Sequence, residues 1–253
     1  MTILCYHAVQ PGWRSPMSVE PAVLDEHLAW LGRRRSVVPL HEVTHRLDAT
    51  GRLPRGMAAL TFDDGFSSLH EHALPILTRH RLPATVFLVA ETLTTAGRPV
   101  DWVDTPPAQP LTTLTIEQVR EMQDVGIRFE SHSFSHLDLT TLSLEECVRD
   151  LTDSRELLES LLGHSVRLLA YPRGRHNATV RAAAERAGYS HAFTLPEGRE
   201  PVGAYAVPRV GLFDGNDVRH LRIKSARSYL RLRTGRPYKM VRQVRRTTSG
   251  APS

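Results

Sequence analysis

Two cysteines in 253 residues are too few for a disulfide-framed fold. Cys5 and Cys147 both sit in apolar patterns and read as reduced core residues. Aromatic residues make up only 6% of the chain, so no aromatic cleft for gripping a long polymer is visible. No apolar run reaches the ~18 residues of a membrane-spanning helix. The start, Thr2-Ile3-Leu4-Cys5-Tyr6-His7, lacks a basic segment followed by a long apolar one. With no secretory leader there, a cytoplasmic location is expected.

Acid is missing from the end of the chain. From Arg219 onward there are 11 Lys/Arg and no Asp/Glu. The net charge of +5 therefore conceals a body, residues 1–218, with 21 basic against 27 acidic side chains, a net of −6. Such a basic tail suits a peripheral position on an anionic membrane surface, or a phosphate-bearing substrate. It carries no recognised base-reading motif, so nucleic acid is not expected. Residues 1–215 are read as one domain and 216–253 as a basic C-terminal helix and tail.

The hydrophobic fraction of 41% is enough for a core. Seven buried strands are expected, near Ile3–His7, Met57–Phe62, Ala84–Ala90, Ile127–Ser131, Val166–Tyr171, Tyr189–Leu195 and Tyr205–Val210. Helices fall between most of them. Ser18 and Pro21 open one that buries Leu24, Leu28 and Leu31. Leu40, Val43 and Leu47 mark the next. Another runs through Leu69, Ala73, Ile76 and Leu77, with Pro75 restarting it. Thr115 with Gln118 and Ser143 with Glu146 are capping boxes, and Gly163 ends the longer helix. Asn177 caps an Ala-rich helix. Asn216 or Asp217 caps a last one, with Ile223, Ala226 and Leu230 on one face. This alternation means α/β with a parallel sheet. The long Pro/Gly/Thr-rich connection 91–113 contains Asp101, Trp102 and Asp104, and a loop of this length can cover a substrate.

Two strand ends carry chemistry. Thr61-Phe62-Asp63-Asp64-Gly65 delivers two carboxylates ahead of a chain-reversing glycine. His132-Ser133-Phe134-Ser135-His136 offers two imidazoles at i, i+4, which on a helical turn can grip one metal. In an α/β fold the C-terminal ends of the strands share a face, so these groups can converge on one cation. Two His and a carboxylate suit hydrolytic zinc or non-haem iron.

The two motifs, in this order, resemble the first two motifs of the polysaccharide deacetylase family (NodB-homology domains, carbohydrate esterase family four). Leu169-Ala170-Tyr171-Pro172-Arg173-Gly174 resembles the third. The resemblance implies a distorted (β/α) barrel of about seven parallel strands and metal-dependent removal of acetyl groups from N-acetylated sugars. Polymers, lipid-linked or nucleotide-linked precursors and glycosylated metabolites are all open as substrates. It further implies that Asp64, His132 and His136 bind the metal, zinc first, with cobalt, nickel or iron as alternatives. Asp63 would be the general base. The Arg173 backbone N–H would hold the oxyanion, with Tyr171 beside it at the substrate.

This chain departs from the family pattern in two places. Ala170 stands where the third motif usually has an Arg that orients the base, and Arg209, in Val207-Pro208-Arg209-Val210, is the expected substitute. Arg173 stands where an aromatic is usual. The family's Leu-x-x-His motif, whose His is the general acid, is absent near the C-terminus. Leu4-Cys5-Tyr6-His7 fits it at the N-terminus, as in the circularly permuted branch that deacetylates poly-N-acetylglucosamine, so His7 is the expected acid. Asp138 follows the second His, as a turn residue or behind the metal. A non-sugar amide hydrolase and a non-catalytic carbohydrate-binding relative remain alternatives.

Overall fold

The computed structural model describes residues 2–94, 100–108, 110–196, 202–226 and 228–233. Most of the basic tail, residues 234–253, lies outside the described residues.

The strands in chain order are β1 (Thr2–Tyr6), β2 (Ala8–Val9), β3 (Ser18–Val19), β4 (Ser36–Val37), β5 (Met57–Phe62), β6 (Ala84–Leu88), β7 (Arg128–Ser131), β8 (Leu168–Ala170), β9 (His191–Thr194), β10 (Val207–Pro208) and β11 (Val210–Gly211). β1, β5 and β6 are continuous apolar or Thr-containing runs, buried on both faces along almost their whole length. That is the pattern of parallel strands covered by helices outside and by side chains within.

The main sheet runs β10-β9-β8-β7-β6-β5-β1-β11, with β4 added alongside β5. Its pairings are all parallel. β10 and β11 stand at opposite ends of this order, yet only Arg209 separates them in the chain. The two edges are thus brought together by consecutive residues, and the sheet is nearly closed into a barrel. The single expected strand Tyr205–Val210 is therefore two short ones on two edges. Pro208 has no N–H to continue a ladder. Beyond it the Arg209 N–H donates to Thr194 O of β9 at 2.9 Å, and the Leu212 N–H donates to Cys5 O of β1 at 2.8 Å.

The helices are α1 (Pro21–Arg34), α2 (Leu40–Thr50), α3 (Leu74–His80), α4 (Ile116–Asp124), α5 (Leu144–Leu162), α6 (Ala178–Arg186), α7 (Val218–Lys224) and α8 (Tyr229–Arg233). α1 buries Leu24, Leu28 and Leu31 as expected, but Ser18 belongs to β3 and the residue before the helix is Glu20. A π-helical turn, Leu69–Ala73, precedes α3, with Pro75 in the first turn of α3. Both capping boxes form, Asn177 caps α6, and Gly163 ends α5 in the left-handed conformation.

The last helix differs from expectation. α7 stops at Lys224 and α8 begins anew at Tyr229, so no continuous face joins Ile223, Ala226 and Leu230. Leu221 is the buried residue, while Ile223 is 63% exposed. Asp217 provides the cap, its Oδ1 accepting from the His220 N–H. α7 packs on α1, and Thr2 Oγ1 donates to Ser225 O at 3.1 Å.

Candidate active site

β5 ends by handing its chain to β1: the Asp63 N–H donates to Tyr6 O at 2.9 Å. Asp64 and Gly65 then turn sharply, at φ 69° and 66°. A Cβ on Gly65 would lie 2.6 Å from Leu88 Cδ2, so only glycine fits this left-handed position against β6. The turn gives the two carboxylates different nearest partners, although His132 Nε2 also lies 4.0 Å from Asp63 Oδ2.

The two histidines follow β7. They do not sit on a helical turn, as the i, i+4 spacing suggested. Residues 132–136 form an irregular bend with Ser133 at φ 70° and His136 at φ 58°. Asp150 of α5 holds it, accepting from the Phe134 N–H and from Ser135 Oγ, both at 3.0 Å. Ser133 Oγ accepts from the His136 N–H at 3.0 Å. Five non-glycine residues among those described have positive φ, and four of them, Asp64, Ser133, His136 and Arg173, lie at this mouth. Backbone of this kind costs about 1–3 kcal/mol per residue and persists where its surroundings impose it.

The bend brings both imidazoles onto Asp64. His132 Nε2 is 3.4 Å and His136 Nε2 3.2 Å from Asp64 Oδ1, and all three residues are buried. Ligands about 2.0–2.1 Å from a tetrahedral zinc lie roughly 3.3 Å from one another, so these separations fit one cation. His132 Nδ1 donates to Ala170 O at 2.7 Å, which fixes the tautomer and turns the Nε2 lone pair inward. Both Asp64 carboxylate oxygens and His136 Nδ1 are buried without a hydrogen-bond partner among the described residues. Burial alone would raise the Asp64 carboxyl, but the two imidazoles against it hold it well below its ordinary value. Buried, ionised and unsatisfied, the set has the chemistry of a metal ligand group. Trp102 stacks on His136 at 4.9 Å.

Asp63 keeps different company. Arg209 is fully buried and reaches it from the β10–β11 junction with two parallel bonds, Nη1–Oδ1 at 2.6 Å and Nη2–Oδ2 at 2.7 Å. Arg209 Nη1 also donates to Thr61 Oγ1 at 3.2 Å, and the guanidinium lies over the Phe87 ring at 5.3 Å. The Cys5 thiol donates to Asp63 Oδ2 at 3.3 Å. Burial opposes ionisation of Asp63, but the charges of Arg209 and His132 outweigh it and bring its pKa to about 2. His7 stands on the same side, with one of its ring nitrogens, Cys5 Sγ and an Asp63 oxygen all within 4.8 Å of one another. Burial lowers the His7 imidazole, against the opposing pull of Asp64 and Asp63.

A cleft of about 470 Å³ opens beside His136, and Asp101, Trp102, Asp138, Arg173 and Arg175 help to line it. Arg173 is exposed in the left-handed conformation, φ 57° and ψ 11°. Tyr171 does not join it, contrary to the sequence expectation. Its hydroxyl donates to Tyr205 O at 3.0 Å, its N–H donates to Phe193 O at 3.1 Å, and its ring is buried against His176. Both polar groups are used to brace the third motif. Asp138 caps a turn, accepting from the Thr140 N–H, and pairs with Arg175 at 2.8 Å. It is a rim residue rather than a support for either histidine. Asp150 and Cys5 escaped sequence reasoning. The one acts through backbone N–H groups, and the other reads as core.

The family model described as polysaccharide deacetylase matches residues 50–192. Among curated relatives, the Bacillus subtilis (strain 168) protein YxkH, itself named for polysaccharide deacetylase, is 27% identical over 219 residues, covering 85% of this chain and 72% of that protein. The poly-beta-1,6-N-acetyl-D-glucosamine N-deacetylase of Staphylococcus aureus (strain MRSA252) is 25% identical over 175 residues. That match covers 65% of this chain but only 57% of the staphylococcal enzyme. Among solved structures, the Streptococcus pyogenes deacetylase PplD in complex with acetate superposes with a TM-score of 0.74 at 25% identity, covering 89% of this chain and 98% of that one. IcaB from Ammonifex degensii shares the fold, with a TM-score of 0.71 at 24% identity over 89% of this chain and 97% of its own.

Proposed function

Since the chain belongs to the polysaccharide deacetylase family, we propose that it hydrolyses the acetamide of an N-acetylated sugar, polymeric or precursor-linked, to acetate and a free amine. The observation that carries this reading is the buried Asp63–Arg209 pair set directly beside the Asp64–His132–His136 group. Two adjacent carboxylates with different partners can divide the work of hydrolysis.

Asp64, His132 and His136 would hold a divalent cation, zinc before cobalt, nickel or iron. When bound, such a cation supplies Lewis acidity and brings the pKa of water down toward about 7. The remaining steps belong to the side chains. Asp63, kept ionised and aimed by the Arg209 fork, takes a proton from the water as its oxygen bonds to the acetamide carbon. The Arg173 peptide N–H is assigned to the carbonyl oxygen, where charge develops. The imidazolium form of His7 gives its proton to the amide nitrogen as the C–N bond breaks, so the amine leaves neutral, and the proton that Asp63 took from the water recharges the imidazole beside it. Trp102, stacked on His136 at the cleft, offers an apolar face to a pyranose ring.

The test is acetate release from N-acetylglucosamine oligomers, nucleotide-linked and lipid-linked N-acetylglucosamine, with added zinc or with chelator. Chelator-sensitive release from at least one of them is expected. Tight binding of these sugars with no acetate from any would contradict the hydrolytic reading.

A further inference from the structure

α7 and α8 close the chain's described part, α7 packed on α1 and α8 on α7. α7 starts near the mouth, where its cap residue Asp217 adjoins His27, which contacts the Tyr6 hydroxyl at 3.2 Å. It ends at the opposite pole, where Ser225 O accepts from Thr2, the first residue of β1. Tyr229 and Leu230 of α8 pack against the core. The five-residue β1 separates this pole from the mouth by about 15 Å.

The surface these helices leave mixes exposed apolar and basic side chains. Five large hydrophobic residues are well exposed among the described residues, and two of them, Ile223 at 63% and Leu232 at 69%, are on these two helices. Arg222 and Arg231 beside them are exposed. No acid occurs anywhere from Arg219 to the end, while residues 234–253 add five more Lys/Arg by sequence. Lys224 takes no part in this surface, because its Nζ donates to Gly211 O and Asn216 Oδ1.

We infer that the exposed surface of α7 and α8 docks on an anionic lipid surface, with Ile223 and Leu232 entering the headgroup layer and the arginines meeting lipid phosphates. Basic charge alone would serve a soluble polyanion equally well. Exposed Ile and Leu among the basic residues favour a lipid layer, which buries apolar side chains as well as neutralising charge. The inference does not depend on the proposed deacetylation, because none of these residues belongs to the cleft.

The experiment is co-sedimentation of the full chain with vesicles of phosphatidylcholine alone, or of phosphatidylcholine mixed with phosphatidylglycerol. Binding to the mixed vesicles only is expected. Arg222→Ser with Arg231→Ser should weaken it about 25-fold, at roughly fivefold per charge. Ile223→Ser with Leu232→Ser should weaken it at least tenfold. All four positions are surface sites, so melting temperature and acetate release should be unchanged, and Asp63→Asn should bind vesicles as the parent does. Equal sedimentation with both vesicle types, or with neither, would overturn the proposal. So would mixed-vesicle binding that survives Ile223→Ser/Leu232→Ser and is matched by soluble polyphosphate, since that outcome marks a polyanion site.

Discussion

Asp63 and Asp64 are neighbours in the chain, yet each carboxylate has its own nearest partners. Asp64 faces two imidazoles, and Asp63 faces a guanidinium 146 positions later in the sequence. Removing Arg209 leaves a buried carboxylate unpaired, so Arg209→Ala should cost about 3–5 kcal/mol in denaturant unfolding. Arg209→Lys should recover part of that stability but little turnover, because an ammonium cannot reproduce the two parallel bonds. His7→Ala is expected to lower turnover about 10²–10⁴-fold with metal content unchanged by elemental analysis. Unchanged turnover would remove His7 as the acid.

At the scale of elements, local chemistry is what the sequence displays. The capping boxes at Thr115 and Ser143 were legible because each closes within four residues. The strand end at Phe62 was legible because β5 is a nearly continuous apolar run that Asp63 interrupts. The histidine bend was not, since its shape depends on Asp150, a helix residue whose side chain caps two groups of another segment. Asp150→Ala should free that bend and lower metal affinity about 10- to 100-fold by titration, with little loss of helix α5. The face of α7 was likewise hidden, because Leu221 is buried by α1 and the barrel rather than by any helical periodicity of its own.

Across the whole molecule, closure of the barrel links fold and chemistry. Arg209 is both the single residue between the two sheet edges and the partner of Asp63. The sequence made Arg209 a candidate through the missing Arg at Ala170, but no local pattern says that a strand will split at Pro208 and join opposite edges. The barrel also carries a pH-sensitive group on β7, two residues before His132. Burial raises Glu130 to about 8 although its Oε2 accepts the Arg167 and Leu168 N–H groups. A carboxyl whose folded pKa lies above its unfolded value favours the fold below the unfolded value, and that contribution fades as pH rises. Its share of stability should thus fall between about pH 4.5 and pH 8. Glu130→Gln should flatten that part of the profile when denaturant midpoints are measured across the range. An identical slope in parent and variant would discount it.

The division of labour between the two aspartates is the centre of the account, and Asp63→Asn tests it most directly. Acetate release and bound zinc should be measured on the same preparation, before and after the substitution. The account predicts that zinc stays near parental occupancy while acetate release falls by at least about 10²-fold. Retained release, or zinc lost in parallel with activity, would contradict it.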